Sequence, residues 1–154
     1  MRIRNLRQEL WLPGPIEDHF AFFCNAHNLD TITPPWLHFK VLTPTSVKLE
    51  KGTILDYSLR IRGIPVRWQS RITLWDPPHR FVDEQRIGPY DRWIHEHSFE
   101  PQDGGTLILD RVDFVVPGGM VLEPFLYRLL VGPDLEKIFA YRKDKLKELF
   151  GAKR

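Results

Sequence analysis

The feature that most constrains this chain is a change in the spacing of its apolar residues near residue 117. From residue 53 to residue 116, apolar side chains recur at every second position, as in Leu55, Tyr57 and Leu59, and Gly, Pro and Asp separate the runs. This alternation predicts antiparallel strands joined by short turns. After Pro117 the spacing becomes three to four residues, which predicts a long amphipathic helix.

The residues before this region predict one strand and a short helix. Apolar residues within 2–11 predict a first strand that ends at the Pro-Gly-Pro turn of 13–15. A helical stripe then predicts a helix over 15–23, extending at most to Asn28. Because proline lacks a backbone N–H donor, Thr33-Pro-Pro-Trp36 cannot lie in the interior of a helix. A strand or an extended segment is therefore expected over 37–42. Further strands are predicted from 53, over 66–75, 80–87, 92–100 and 106–116.

Together these elements predict an α+β fold. A strongly curved antiparallel sheet of about six or seven strands surrounds one long C-terminal helix, with one or two short helices after the first strand. Gly132-Pro133 predicts a kink or break in the long helix. A single helix of about 45 Å cannot fill the concave face of such a sheet, so a cavity is expected between them.

Composition limits the class of protein. The 154 residues suit one domain over 1–154, and a lone cysteine, Cys24, agrees with a fold that needs no disulfide. A net charge of +2 without a basic patch does not predict nucleic-acid binding. The sequence has neither an apolar run of membrane-spanning length nor the apolar core of a signal peptide, which predicts a cytoplasmic protein. The oligomeric state stays open.

Five short stretches, spread over nearly the whole chain, carry a resemblance to a known superfamily. They are Thr33-Pro-Pro-Trp36-Leu37, Phe81-Val-Asp83-Glu-Gln85, Gly88-Pro-Tyr90 with Trp93-x-His95-x-His97-x-Phe99, Asp110-x-Val112, and Leu135-x-x-Ile138-Phe139-x-Tyr141-Arg142. In order and spacing the chain resembles the helix-grip (SRPBCC) superfamily of START and pollen-allergen-like proteins, and within it the cyclase/dehydrase-like ligand-binding group. Gly132-Pro133 departs from the pattern, because relatives tend to have an unbroken helix there.

The resemblance implies an apolar cavity under the C-terminal helix that binds lipids, sterols, polyketides or aromatic metabolites. It does not imply one chemistry, since such relatives include aromatase/cyclases as well as carriers and receptors. We therefore expect binding of a hydrophobic or amphipathic small molecule, and the alternative is a cyclase/dehydrase-type enzyme that uses the same cavity. A fold used to bind a protein partner is a third hypothesis.

Polar residues occupy strand positions where a plain core would be apolar. The residues that share a predicted face with Trp68, Trp93 and Phe99 include Ser70, Asp83, Gln85, His95, His97 and Asp110. Burying each without a partner costs about 1–3 kcal/mol, so the group must be hydrogen-bonded internally or face a pocket. Three interpretations stay open: an internal network, a ligand-recognition site, and acid/base catalysis by His95, His97, Asp83 or Asp110.

Aromatic residues and one arginine complete the candidate ligand-binding set. Arg142 lies on the apolar stripe of the last helix, and we expect it to extend to solvent rather than reach an acidic partner. The spacing His95-x-His97 would let both rings reach one ion, but a third ligand must come from another strand, so neither a metal nor another cofactor is predicted. The full set is Trp36, Tyr57, Trp68, Ser70, Phe81, Asp83, Gln85, Trp93, His95, His97, Phe99, Asp110, Phe125, Phe139 and Arg142.

Overall fold

Seven antiparallel strands form one curved sheet in the computed structural model, which describes residues 2–44 and 46–151. The strands are β1 (Arg4–Pro13), β2 (Lys40–Val41), β3 (Ile54–Ile61), β4 (Ile64–Asp76), β5 (Arg80–Ile87), β6 (Arg92–Gln102) and β7 (Gly105–Val115). The sheet order is β1-β7-β6-β5-β4-β3-β2, so the first strand pairs with the last. The other pairs join strands that follow each other in the chain.

Short helices follow β1, and one long helical run follows β7. The first helix begins one residue later than predicted. The negative charges of Glu17 and Asp18 in its first turn stabilise it, because they lie near the positive end of the helix dipole. The described elements are α1 (Ile16–Cys24), α2 (Asn28–Thr31), a 3-10 turn (Pro35–Leu37), α3 (Gly119–Leu126), a π-helical turn (Tyr127–Val131) and α4 (Gly132–Phe150). The predicted α+β class and the long C-terminal helix are confirmed.

Of the kink or break predicted at Gly132-Pro133, the break is wrong, because the helical run continues from α3 into α4, and the irregularity in the run is the π turn that ends at Val131. Pro133 lies in the first turn of α4, just after the π turn, where a missing N–H is tolerated. Glycine suits position 132 at the end of the π turn, because a Cβ there would lie only 3.0 Å from the Tyr127 carbonyl oxygen. The π turn keeps Tyr127 and Val131 packed on the same core cluster as Leu135.

The helical spacing predicts an inward stripe of Leu122, Phe125, Leu126 and Leu129 at the start of this run, and this is wrong at three of the four positions. Leu122, Phe125 and Leu129 are all more than half exposed, Leu126 packs against the core, and Glu123 is the buried residue of α3. The spacing rule assumes a regular α-helix with its apolar face inward. Here the wider π turn and an ion pair of Glu123 set a different inner face.

Two irregularities in the pairing of β4 with β5 move side chains between faces. The register shifts at Thr73 and again at Arg86, and each extra residue reverses the alternation that follows it. The alternation alone predicts Leu74 on the inner face with Trp68, and Ile87 on the inner face with Phe81. Instead, Trp75 packs against the core in place of Leu74, and Ile87 is 54% exposed. These two predictions fail because bulges have no signal in the alternation itself.

Two apolar clusters fill the space between the sheet and α4. The larger lies toward the C-terminal end of α4 and includes Leu10, Leu12, Phe20, Phe23, Tyr57, Ile72, Phe81, Phe99, Ile108 and Leu146. The smaller lies toward its N-terminal end and consists of Trp93, Val112, Phe114, Val116, Leu135 and Phe139. We call them the Phe99 cluster and the Trp93 cluster.

Truncating Phe99 should reveal how tightly the interior is packed. Its ring is 1% exposed and lies 5.4 Å from the rings of both Phe20 and Phe23. We expect Phe99→Ala to lower the free energy of unfolding by about 3–5 kcal/mol in urea titrations. The exposed Ile64→Ala should change it by less than about 0.5 kcal/mol. A loss below about 1 kcal/mol for Phe99→Ala would mean that the interior is not packed around this ring.

Candidate functional site

A layer of polar side chains crosses the core between the two apolar clusters. On β6, His95 and His97 lie between Trp93 of one cluster and Phe99 of the other. Period-two alternation puts all four on the inner face, as predicted, and all four are buried. The neighbouring strands and α4 supply the other members. We call this set the polar layer, and it consists of Asp83, His95, His97, Asp110 and Arg142.

Asp110 is the centre of the layer. His95 donates from Nε2 to its Oδ1 at 2.7 Å, and Arg142 donates from Nη2 to the same oxygen at 3.3 Å. His97 donates from Nε2 to Asp83 Oδ2 at 2.7 Å. The strand register brings these groups together, because Asp83 pairs with His95 across β5–β6 and His97 pairs with Asp110 across β6–β7.

Aromatic surfaces enclose the layer. The two imidazoles stack with ring centroids 3.7 Å apart, and the ring of Phe81 stacks on His97 at 4.3 Å. The Arg142 guanidinium lies 5.3 Å from the centre of the Phe23 ring. These contacts exclude water from most of the layer, so its charges act in a medium of low dielectric constant.

Burial and pairing together set the protonation of the layer. Burial alone would raise the pKa of Asp110, but the charge of Arg142 and the hydrogen bond from His95 outweigh it and hold the pKa well below its usual range. Burial opposes ionisation of Asp83 as well, yet the hydrogen bond from His97 and the charge of Arg142 keep its pKa low. Burial lowers the pKa of His97 to about 4, and the neighbouring His95 acts in the same direction. At neutral pH the layer therefore holds two carboxylates and an uncharged His97.

Two buried nitrogen atoms of the layer have no hydrogen-bond partner among the described residues: His97 Nδ1 and Arg142 Nε. Because Nε2 of His97 donates to a carboxylate, the neutral ring carries its proton there and Nδ1 is an acceptor. Arg142 Nε always carries a hydrogen and is a donor. His97 Nδ1 lies 3.5 Å from Asp110 Oδ1, but two acceptors cannot bond to each other. The layer thus has one free acceptor and one free donor.

The outward orientation predicted for Arg142 is wrong. Its side chain is 11% exposed and pairs with Asp110, so the acidic partner is the correct alternative. The physical reason is that Asp110, also buried, needs a positive charge, and the Arg142 guanidinium on α4 supplies it.

Two predicted members of the polar set lie inward but make contacts outside the layer. The Gln85 amide donates to the Tyr90 carbonyl oxygen at 2.7 Å and accepts from the Tyr90 N–H at 3.2 Å, so it closes the β5–β6 turn. Ser70 Oγ accepts a hydrogen bond from Trp68 Nε1 at 3.0 Å. The side chains of Gln85 and Ser70 therefore both form hydrogen bonds within the protein.

The predicted aromatic residues divide between interior and surface. Trp36 is 51% exposed and packs against Tyr141, one residue before Arg142 on α4. Phe125 is 63% exposed and faces away from the core, so the interior position predicted for it is wrong. The remaining predicted aromatics are buried or partly buried and belong to the two apolar clusters: Tyr57, Trp68, Phe81, Trp93, Phe99 and Phe139.

Sequence reasoning missed two neighbours of the layer. Phe23 lies beside both His97 and Arg142, and its place on the stripe of α1 identified it only as a core residue. Gln8 pairs with Asp110 across β1–β7 and donates to the Phe139 carbonyl oxygen at 3.1 Å. The alternation of Leu10 and Leu12 with exposed residues could have indicated that Gln8 faces inward.

Donor atoms of Asp83, His95 and His97 lie within 4.8 Å of one another, which is the spacing of a metal site. Both Nε2 atoms already donate to carboxylates, and the guanidinium of Arg142 opposes a second cation beside Asp110. The arrangement therefore favours the hydrogen-bonded network, and the absence of a native metal stays a prediction.

Apolar side chains of α4 pack against the sheet in the region where the sequence predicts a cavity. Leu146, Phe139 and Leu135 of α4 are buried against the sheet within the two clusters. One surface depression of about 490 Å³ lies between the β1–α1 turn and the β6–β7 hairpin. A second of about 440 Å³ lies between Arg4 of β1 and residues 124–136. Both are outside the sheet–helix interior.

Solved structures share this fold over almost their whole length. The protein Ms6760 from Mycobacterium smegmatis has a TM-score of 0.69 at 15% identity, and covers 99% of this chain and 98% of its own. TTHA0849 from Thermus thermophilus has a TM-score of 0.69 at 21% identity, with 97% and 98% covered. Major latex-like protein 151 from Panax ginseng has a TM-score of 0.68 at 11% identity, with 96% and 97% covered. The fold is the SRPBCC helix-grip fold.

A sequence model of one family matches residues 12–132, most of the chain. That family is described as polyketide cyclase / dehydrase and lipid transport, and the chain belongs to it. The predicted superfamily is thereby confirmed. No significant match was found among functionally curated proteins. Within the described residues, no helix combines the length and apolar character needed to cross a bilayer.

The stability of the protein should fall between pH 7 and pH 5. His97 has a pKa of about 4 when folded, below the usual 6.5, so the unfolded chain binds more protons in this window and acidification favours it. The expected loss is about 2 kcal/mol in urea titrations at the two pH values. The contribution of the uncharged His97 to stability is fully present above about pH 6.5 and decreases as the pH falls toward 4.

Two variants identify the source of this pH dependence. His97→Phe removes the titrating ring and should flatten the dependence between pH 5 and 7, whatever its effect on stability at pH 7. His79→Gln removes a histidine from the β4–β5 turn, outside the polar layer, and should leave the dependence unchanged. The same slope in wild type and His97→Phe would contradict the assignment.

Proposed function

We propose that this protein binds an apolar small molecule that carries a neutral hydroxyl group, with the hydroxyl in the polar layer. The observation that carries this proposal is the pair of buried atoms that have no hydrogen-bond partner among the described residues, His97 Nδ1 and Arg142 Nε. A hydroxyl can donate to the first and accept from the second. His97 Nδ1 lies 3.5 Å from Asp110 Oδ1, and Arg142 Nη2, on the same guanidinium as Nε, lies 3.3 Å from that oxygen, so both side chains lie beside one carboxylate.

The charge of the layer argues for a neutral ligand. Two carboxylates, Asp83 and Asp110, are ionised, and the guanidinium of Arg142 balances one of them. A carboxylate or phosphate ligand would add a further negative charge beside these carboxylates in a buried setting, which is costly. A hydroxyl adds no charge and satisfies both free groups.

Apolar surface on both sides supplies the rest of the affinity. Phe81 and Phe23 lie on one side of the layer, and Trp93 and Phe139 on the other. Each methylene that a ligand buries there contributes about 0.8 kcal/mol. Where a ligand displaces these packed side chains, the cost of opening the interior lowers the observed affinity.

The edge of the layer nearest to solvent suggests the route of entry. The side chain of Asp83 is 20% exposed and that of Arg142 is 11% exposed, against 4% for Asp110. Trp36, half exposed, packs on the neighbouring Tyr141. A ligand that enters between the 3-10 turn and α4 reaches the layer at this edge, and Trp36 would contact it there.

Three naphthalene probes test the proposal by isothermal titration calorimetry. We expect 2-naphthol to bind roughly 10- to 100-fold more tightly than 2-methylnaphthalene, because two hydrogen bonds each contribute about 0.5–1.5 kcal/mol. The anion 2-naphthoate should bind more weakly than 2-naphthol. Arg142→Lys keeps the charge beside Asp110 but lacks Nε, and His97→Phe lacks Nδ1. Each of these two single variants should reduce the preference for the hydroxyl probe.

The exposed Arg111→Gln and the turn variant His79→Gln are matched controls and should retain the preference. Equal affinity of the wild type for the hydroxyl and methyl probes would contradict the proposal. A preference that survives in both layer variants would contradict the assignment of the site. Native mass spectrometry of the purified protein, compared with its denatured mass, should reveal a neutral organic adduct if the natural ligand is retained.

The alternative is an acid/base enzyme of the cyclase or dehydrase type, and the two His–Asp pairs favour it. A neutral His97 whose Nε2 donates to Asp83 presents Nδ1 as a base, which is the arrangement used for proton abstraction. Recovery of a chemically altered ligand after incubation with wild type, but not with His97→Phe, would favour the enzyme. Recovery of unchanged ligand from both would favour the binder.

A further inference from the structure

The first helix after the sheet has its apolar residues on the outside. Five large apolar side chains of α3 and the π turn are each more than half exposed, while Glu123 of α3 is buried and accepts two hydrogen bonds from Arg4, at 2.7 Å and 3.0 Å. A surface helix ordinarily has the opposite arrangement. The five residues, which we call the outer face, are Met120 (87% exposed), Val121 (75%), Leu122 (57%), Phe125 (63%) and Leu129 (66%).

The outer face lies at one end of the sheet. The Arg4–Glu123 pair fixes α3 to the start of β1, and Arg62 at the β3–β4 turn pairs with Asp134 at the start of α4 with a distance of 2.9 Å. The helical run therefore crosses this end of the sheet from β1 to the β3–β4 turn. Two further exposed apolar side chains, Ile64 (66%) and Ile87 (54%), lie close to turns at the same end.

The charge at this end is positive. Besides the Arg4–Glu123 pair, six arginines lie on the α3–π run or near the turns and the chain start at this end, against three carboxylates. The arginines are Arg2, Arg60, Arg62, Arg86, Arg92 and Arg128, and the carboxylates are Asp91, Asp134 and Glu136. At this end the arginines outnumber the carboxylates by three, in a chain whose net charge is +2.

We propose that the outer face docks on the surface of a lipid bilayer that contains anionic lipids. Exposed apolar side chains on one face of a helix can insert among headgroups and acyl chains, and flanking arginines attract anionic headgroups. The contact is peripheral, since none of the described helices is suited to crossing a membrane. This inference depends on the outer face and its arginines, and does not depend on the hydroxyl site.

Vesicle flotation tests the inference with two lipid compositions. We expect the protein to float with vesicles of roughly 70% phosphatidylcholine and 30% phosphatidylserine, to bind phosphatidylcholine vesicles at least about tenfold more weakly, and to dissociate in about 0.5 M NaCl. Phe125→Ser with Leu129→Ser should reduce binding by a similar factor. Both side chains are exposed, so the variant should keep the wild-type melting temperature.

Leu42→Ser removes an exposed apolar side chain away from the outer face, and Arg111→Gln removes an arginine from the middle of β7; both should bind vesicles as the wild type does. Arg92→Gln with Arg128→Gln should weaken binding and reduce its dependence on salt. Failure of the wild type to float would overturn the proposal. If sedimentation then gave a dimer that Phe125→Ser dissociates, the outer face would belong to a contact between two copies.

Discussion

The contacts of one buried carboxylate hold the sheet and the helix in their relative positions. Asp110 accepts hydrogen bonds from His95 of the neighbouring strand and from Arg142 of α4. A carboxylate in the core is tolerated only when charge and donors surround it, and loss of any of these partners would leave a costly buried charge. The helix is therefore fixed against the sheet by an electrostatic contact as well as by apolar packing.

This constraint divides the interior into layers. Because the polar groups lie at the same level of β5, β6, β7 and α4, the apolar residues are separated into the Phe99 cluster on one side and the Trp93 cluster on the other. The stacked imidazoles of His95 and His97 bridge them with flat, partly apolar surfaces. The same layer that stabilises the packing also provides a free donor and a free acceptor, which a purely apolar core could not offer.

A second buried pair determines how the long helix begins. Arg4 and Glu123 hold α3 against β1, with the guanidinium 3.6 Å from the centre of the Tyr127 ring. With Glu123 turned inward, the apolar residues of α3 face outward, and the π turn then brings Tyr127 and Val131 back to the core. The exposed apolar face is thus a consequence of where one charge is buried.

Alternation and helical spacing were sufficient to predict the strands and the long helix, the α+β class and the inward faces of β6 and β7. This is possible because the pattern of consecutive residues shows which side of a strand or helix is buried. They also brought Asp83, His95, His97 and Asp110 to one predicted surface. The tertiary structure decided the rest. Which polar groups pair, the inward direction of Arg142, the shifts at Thr73 and Arg86 and the reversed face of α3 all depend on contacts between residues far apart in the chain. Such contacts follow from distances between elements, and local spacing has no means of specifying them.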